Sequence, residues 1–143
     1  MGKTNWSRVF LGGLLAGVVL NILLFVALPI YLRELWNPAL EAVNPAFKES
    51  AGFLAFWIVF HLIAGILAVW LYSAIRPRYG AGAKTAVCAG LAVWALCPLS
   101  YAAISAAYGL FPAKVLVVDA LTGLVQFIVA TLAGAWVYRE QSQ

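Results

Sequence analysis

Four long apolar runs dominate the chain, over residues 9–32, 52–75, 85–108 and 115–138. Each run is long enough to cross a hydrocarbon core of roughly 30 Å as an α-helix. Helices are expected because every backbone group inside a membrane must be hydrogen-bonded within its own segment. The pattern therefore predicts one domain over residues 1–143, an all-α integral membrane bundle of four transmembrane helices.

A more polar segment, residues 33–50, separates the first two runs. Trp36, Leu40, Val43 and Phe47 recur there at spacings of three and four residues, which places them on one stripe of a helix. The stripe predicts a short amphipathic helix lying in the membrane interface between the first two spans.

The same segment contains Asn-Pro-Ala twice, at residues 37–39 and 44–46. Water channels also use two such triplets, but they place one in each half of a larger six-helix protein. We therefore interpret each triplet as an Asn cap followed by Pro at the first position of a helix.

The composition excludes a soluble domain. Hydrophobic residues make up 65% of the chain and charged residues only 10%, against about 25% charged residues in average globular proteins. A small soluble fold leaves too much of its surface in water to bury so much apolar area. The length leaves no room for a separate soluble enzyme beside the four spans.

Lys and Arg residues punctuate the apolar runs and differ in number between the two sides of the predicted bundle. The side that holds both termini carries six of the nine, namely Lys3, Arg8, Arg76, Arg78, Lys84 and Arg139. The other side carries Arg33, Lys48 and Lys114. Cytoplasmic segments hold the excess of cations in membrane proteins, so we expect both termini in the cytoplasm. Cations spread in this way do not form a patch for nucleic acid.

The loop between the second and third runs concentrates three of these cations, Arg76, Arg78 and Lys84. Beside the inner leaflet they would attract anionic lipid headgroups, each by about 1 kcal/mol. The alternative is a plain reversing turn, in which Pro77 ends one helix and Gly80 permits the turn.

Two stretches carry a resemblance to a known family. Residues 6–17, with Asn21, and residues 71–80 resemble a family of small four-span bacterial inner-membrane proteins to which no activity is assigned. The resemblance implies a four-span architecture and a bacterial cytoplasmic membrane. It transfers no functional residue.

Small residues in the first span predict a close helix contact. Gly13, Gly17 and Asn21 follow one another at four-residue spacing, so they share one face of the helix. Glycines at this spacing allow two membrane helices to approach closely, and an asparagine can bond across the contact. We interpret Gly13 and Gly17 as a helix-packing interface.

Polar residues at membrane depth are costly and are candidates for function. Asn21, His61 and Gln126 fall at similar depth on three spans, while Asp119 shares a face with Gln126, and Tyr101 follows the helix-bending Pro98. These five residues predict a polar ligand-binding cavity. The alternative is a dry network in which the same groups bond to one another and fix the helix register.

The sequence holds a single histidine and two cysteines that face opposite ways on one helix, Cys88 and Cys97. One histidine gives neither a bis-histidine haem nor a nitrogen-rich zinc site, so we expect no metal and no cofactor. We find no complete catalytic set. The leading interpretation is a non-catalytic accessory subunit or a bundle that binds lipid or a small ligand, with the bilayer and a membrane-protein partner or second copy as neighbours. The alternative is a small oligomeric transporter or proton-coupled carrier that uses His61 and Asp119.

Overall fold

A computed structural model describes residues 4–27 and 33–139, and all regular structure in these two ranges is helical. The helices are α1 (Trp6–Ala27), α2 (Arg33–Val43), α3 (Ala51–Tyr79), α4 (Ala83–Trp94), α5 (Ser100–Ala107) and α6 (Ala113–Val137). A π-helical turn over Ala95–Leu99 joins α4 to α5. Residues 28–32, the end of the first predicted span, lie outside the described ranges.

Four helical segments are long and apolar enough to cross a membrane: Trp6–Ala27, Ala51–Tyr79, Ala83–Ala107 and Ala113–Val137. The predicted all-α bundle with a short helix between its first two spans is confirmed. Around the bundle, α1 packs against α3, α3 against α4, α4 against α6, and α6 against α1. Most residues of the main buried core are alanine or valine, such as Ala16, Ala68, Val69 and Ala130.

The tightest contact in the bundle is the crossing of α1 over α3. A Cβ atom built on Gly65 would lie 2.5 Å from the Gly13 carbonyl oxygen, and one on Gly17 would lie 2.6 Å from the Cα atom of Leu62. Such distances leave no room for any side chain, so the two backbones touch directly. The structure places both predicted packing glycines, Gly13 and Gly17, at this crossing.

Glycines also set the other crossings. A Cβ atom on Gly12 would lie 2.5 Å from the Gly134 carbonyl oxygen where α1 meets α6, and one on Gly90 would lie 2.9 Å from the Phe127 carbonyl oxygen where α4 meets α6. Dispersion forces grow as backbones approach, and they are the main attraction between helices once both are in lipid. The bundle is therefore held at points of backbone contact.

The third span changes geometry at Pro98, where the sequence predicts a bend. Proline lacks an N–H group and cannot complete the regular α-helical ladder. The chain widens into the π-helical turn there, and the Ser100 hydroxyl donates to the Ala95 carbonyl oxygen at 2.8 Å. The Pro98 ring packs over Gly123 of α6, whose missing side chain leaves space for it.

Two local predictions are wrong. The helix of the second span does not end before Arg76 but continues through Pro77 to Tyr79. Neither Asn-Pro-Ala triplet starts a helix. Pro38 lies inside α2, and the Asn44 side-chain oxygen accepts a hydrogen bond from the Ala46 N–H at 3.2 Å in a turn after it. A residue before proline disfavours helical geometry, which explains why α2 ends at Val43, ahead of Asn44 and Pro45.

The glycine contact leads to a stability prediction. We expect Gly65→Ala to lower the free energy of unfolding by about 1–3 kcal/mol, the usual cost of overpacking. The matched control is Gly52→Ala in the same helix, where an added Cβ atom would meet only the Ser50 hydroxyl oxygen, at 3.7 Å. Denaturation of the detergent-solubilised protein, followed by circular dichroism, measures both. Equal losses in the two variants would contradict the contact.

Candidate functional site

The first polar group at membrane depth joins α1 to α3. The Asn21 amide nitrogen donates to the Gly17 carbonyl oxygen at 2.9 Å and to the Ile58 carbonyl oxygen at 3.3 Å. The Asn21 side-chain oxygen lies 3.2 Å from Nδ1 of His61. His61 is buried, with 6% of its surface exposed, and its ring packs beside those of Trp57 and Phe60.

These bonds determine which His61 nitrogen carries the proton. The Asn21 amide group uses its two N–H donors on backbone carbonyls, so its oxygen is left to accept. His61 must then donate through Nδ1–H, and its Nε2 atom is the acceptor of the neutral ring. The pair is a self-contained hydrogen-bonded link between two helices.

The second polar group lies near the end of the bundle that carries α2. The Trp36 indole N–H donates to the Asp119 carboxylate at 3.3 Å, and the Trp36 ring meets the Phe111 ring edge-on at 5.0 Å. Tyr101 lies on α5, which packs against α6, the helix that carries Asp119. Trp36, which the sequence indicates only as an interfacial aromatic, therefore ties α2 to α6.

Gln126 joins neither group through a hydrogen bond that the structure shows. Its amide nitrogen is buried and has no hydrogen-bond partner among the described residues. The neighbouring hydroxyls bond to their own helix, with Thr122 donating to the Val118 carbonyl oxygen and Thr131 to the Phe127 carbonyl oxygen, both at 2.7 Å.

The five residues of the predicted cavity thus fall into separate places. Asn21 is hydrogen-bonded to His61 and Asp119 to Trp36, and no hydrogen bond that the structure shows joins Tyr101 or Gln126 to either pair. Two pockets formed by the described residues lie elsewhere, and none of the five residues lines them. The arrangement resembles local structural links more than one continuous polar path.

The larger of these two pockets is an apolar groove on the outer face of α3, with a volume of about 380 Å³. Its lining follows one helical face: Gly52, Ala55, Phe56, Val59, Phe60 and Ile63. All of these residues are exposed, and the Phe56 and Phe60 rings stack at 6.2 Å between centroids. Small residues at one end of this face and large ones along it form a shallow apolar groove on a single helix, open to the bilayer. The apolar face at three- and four-residue spacing is visible in the sequence, but only the structure shows that no helix of the described chain covers it.

The smaller pocket, of about 230 Å³, lies beside the groove in the segment between α2 and α3. It is lined by Asn37, Glu41, Phe47, Lys48 and Glu49. Glu49 also receives a hydrogen bond from Arg33 in an exposed ion pair at 3.3 Å. Unlike the groove, this cleft presents charges of both signs.

Aromatic packing closes the opposite end of the bundle, near both termini. The Arg76 guanidinium lies 5.6 Å from the centre of the Tyr138 ring, and that ring meets Tyr72 edge-on at 5.9 Å. The Tyr72 hydroxyl accepts a hydrogen bond from the Gly82 N–H at 3.3 Å. Of the three predicted headgroup ligands, Arg76 is therefore half-buried in the bundle, whereas Arg78 and Lys84 are exposed.

The described residues contain no cluster of three or more His, Cys, Asp or Glu side chains placed to hold a metal ion. Cys88 is exposed on the surface of α4 and Cys97 is half-buried in the π-helical turn, and both are free thiols.

Comparison of the chain with protein-family models, with curated proteins and with solved structures finds no match. The resemblance to small four-span bacterial proteins therefore stays a prediction, and the site has to be judged from its own geometry.

The link between Asn21 and His61 can be measured by a double-mutant cycle. We expect a coupling energy of about 0.6 kcal/mol between Asn21→Ala and His61→Ala, the average for such bonds in membranes. A matched cycle pairs His61→Ala with Thr131→Ala, because the Thr131 hydroxyl bonds within its own helix. We expect no coupling there. The same unfolding assay serves both cycles, and equal coupling energies would contradict the link.

Proposed function

We propose that this protein is a non-catalytic lipid-binding bundle of the bacterial cytoplasmic membrane, with both termini in the cytoplasm. The observation that carries the proposal is the groove on α3. All residues from 51 to 60 except Phe53 are exposed, so this half of the helix stands away from the rest of the described bundle.

The chemistry of the groove favours an acyl chain over a partner helix. Membrane helices associate through small residues that let backbones meet, and this protein uses glycines in that way at its own crossings. The groove instead has bulky walls, formed by residues such as Phe56, Phe60 and Ile63. A thin, flexible chain fits between such side chains, whereas a helix backbone is kept away by them.

The length of the groove supports the same occupant. From Gly52 to Ile63 is eleven residues, or roughly 16 Å along a helix. That is about half of a hydrocarbon core of roughly 30 Å, which is the depth that the acyl chain of one leaflet spans.

At the terminal end, the exposed cations Arg78 and Lys84 suit anionic headgroups of the other leaflet. Arg76 contributes mainly to structure there, because its guanidinium stacks on Tyr138. These contacts would orient the bundle without selecting a particular lipid.

The alternative of a small transporter or proton-coupled carrier gains less support. It requires His61 and Asp119 to share a path, whereas His61 bonds to Asn21 and Asp119 to Trp36. It stays a prediction of the sequence with no geometric observation in its favour.

The proposal is tested by counting the phospholipids that remain on the gently extracted protein, using native mass spectrometry. We expect Ala55→Phe, which fills the small end of the groove, to lower retention about fivefold, equivalent to about 1 kcal/mol of binding. The matched control, Ala103→Phe, places the same ring at an exposed position of α5 and should retain lipid like the wild type.

Two results would contradict lipid binding in the groove. One is equal retention by Ala55→Phe and the wild type. The other is that the wild type retains a second protein chain instead of lipid, and that Ala55→Phe no longer retains this chain. That result would make this protein an accessory subunit.

A further inference from the structure

The charged cleft lies next to the apolar groove at the α2 end of the bundle. Phe47 lines the cleft, and its ring meets that of Phe53 edge-on at 5.2 Å between centroids. Phe53 does not itself line the groove, but it lies one turn before Phe56 and two turns before Phe60, which do. A molecule that lies in the groove and extends past Phe53 therefore places its polar end at the cleft.

The charges of the cleft define what that polar end carries. Lys48 offers an ammonium group and Glu41 a carboxylate, and both side chains are exposed. Glu49 is already engaged by Arg33, so Lys48 and Glu41 are the two opposite charges that the cleft presents. Lysine is a common ligand of phosphate, and a carboxylate accepts hydrogen bonds from an ammonium group.

We propose that the cleft and the groove together bind one phospholipid whose headgroup carries both a phosphate and an ammonium group. The phosphate lies against Lys48, the ammonium group against Glu41, and one acyl chain runs down α3 towards Ile63. This inference rests on the proposed lipid-binding function and adds the class of lipid to it.

The two charges make separate contributions to selectivity. Lys48 distinguishes a phospholipid from a diacylglycerol, which has no phosphate. Glu41 distinguishes an ammonium-bearing headgroup from an anionic glycerol headgroup, which it repels. A cleft with only one of these charges would provide only one of these distinctions, and an uncharged cleft would provide neither.

The test is a titration of the delipidated full-length protein in detergent with three lipids that have identical chains: phosphatidylethanolamine, phosphatidylglycerol and diacylglycerol. Native mass spectrometry counts the bound molecules. For the wild type we expect phosphatidylethanolamine to bind about fivefold more tightly than either of the others, as one exposed ion pair of up to about 1 kcal/mol allows.

Four variants test which charged residues cause that lipid preference. Lys48→Gln should weaken the preference over diacylglycerol, of which only the share from Glu41 and the ammonium group remains, and Glu41→Gln should remove the preference over phosphatidylglycerol. Lys114→Gln and Glu34→Gln are the matched controls, because both are exposed charges near the same end of the bundle that do not line the cleft. Both controls should bind all three lipids like the wild type. All four substitutions lie on the surface, and circular dichroism verifies that each variant is folded.

The outcomes separate this inference from the proposed function. Equal binding of the three lipids, with loss of all of them in Ala55→Phe, would overturn the headgroup selectivity and leave the lipid-binding function standing. Binding that Ala55→Phe does not weaken would overturn both. A preference that survives Lys48→Gln and Glu41→Gln would also overturn the assignment of the headgroup to this cleft.

Discussion

The direct contact between the backbones of α1 and α3 determines how the rest of the bundle is arranged. Gly65 on one helix and Gly13 and Gly17 on the other leave no space for a side chain between them. Asn21 lies one turn beyond Gly17, and His61 lies one turn before Gly65. The hydrogen-bonded pair is therefore next to the crossing on both helices, and only a close crossing lets the short Asn21 side chain reach both His61 and the Ile58 carbonyl oxygen.

Beyond that polar pair, towards α2, the helices diverge. Of the first ten residues of α3, all except Phe53 are exposed, and the third span widens at the π-helical turn around Pro98. The tight crossing and the open half both follow from the order of residues along α3. Gly65 lies at the crossing with α1, whereas Phe56, Trp57 and Phe60 lie towards α2 and are exposed rather than packed between helices. These exposed side chains leave an apolar face that a lipid chain can use.

Much of this fold can be predicted from the sequence because it depends on properties of single segments. The length of each apolar run fixes the four spans, and the spacing of Gly13 and Gly17 indicates a packing face. Which side chains of different helices contact one another could not be predicted. Similar depth predicts that Asn21, His61 and Gln126 meet, yet depth does not fix rotation about a helix axis, and only Asn21 and His61 are hydrogen-bonded to each other. The hydrogen bond from Trp36 to Asp119 could not be predicted from the sequence, because a tryptophan near the end of a span is equally typical of the membrane interface. The position of Pro38 within α2 could not be predicted either, because proline usually occupies the first turn of a helix, whereas Pro38 lies inside this one.

The central claim is that an acyl chain lies along the open half of α3, and photo-crosslinking tests it most directly. The protein is reconstituted with a phospholipid that carries a diazirine near the end of one acyl chain, and the crosslinked residues are mapped by mass spectrometry. The account predicts crosslinks concentrated at the deep end of the groove, around Val59, Phe60 and Ile63. Crosslinks spread evenly over other exposed apolar residues, such as Leu96, Ile104 and Leu121, would contradict it, since that pattern is expected of a bundle surrounded only by bulk lipid.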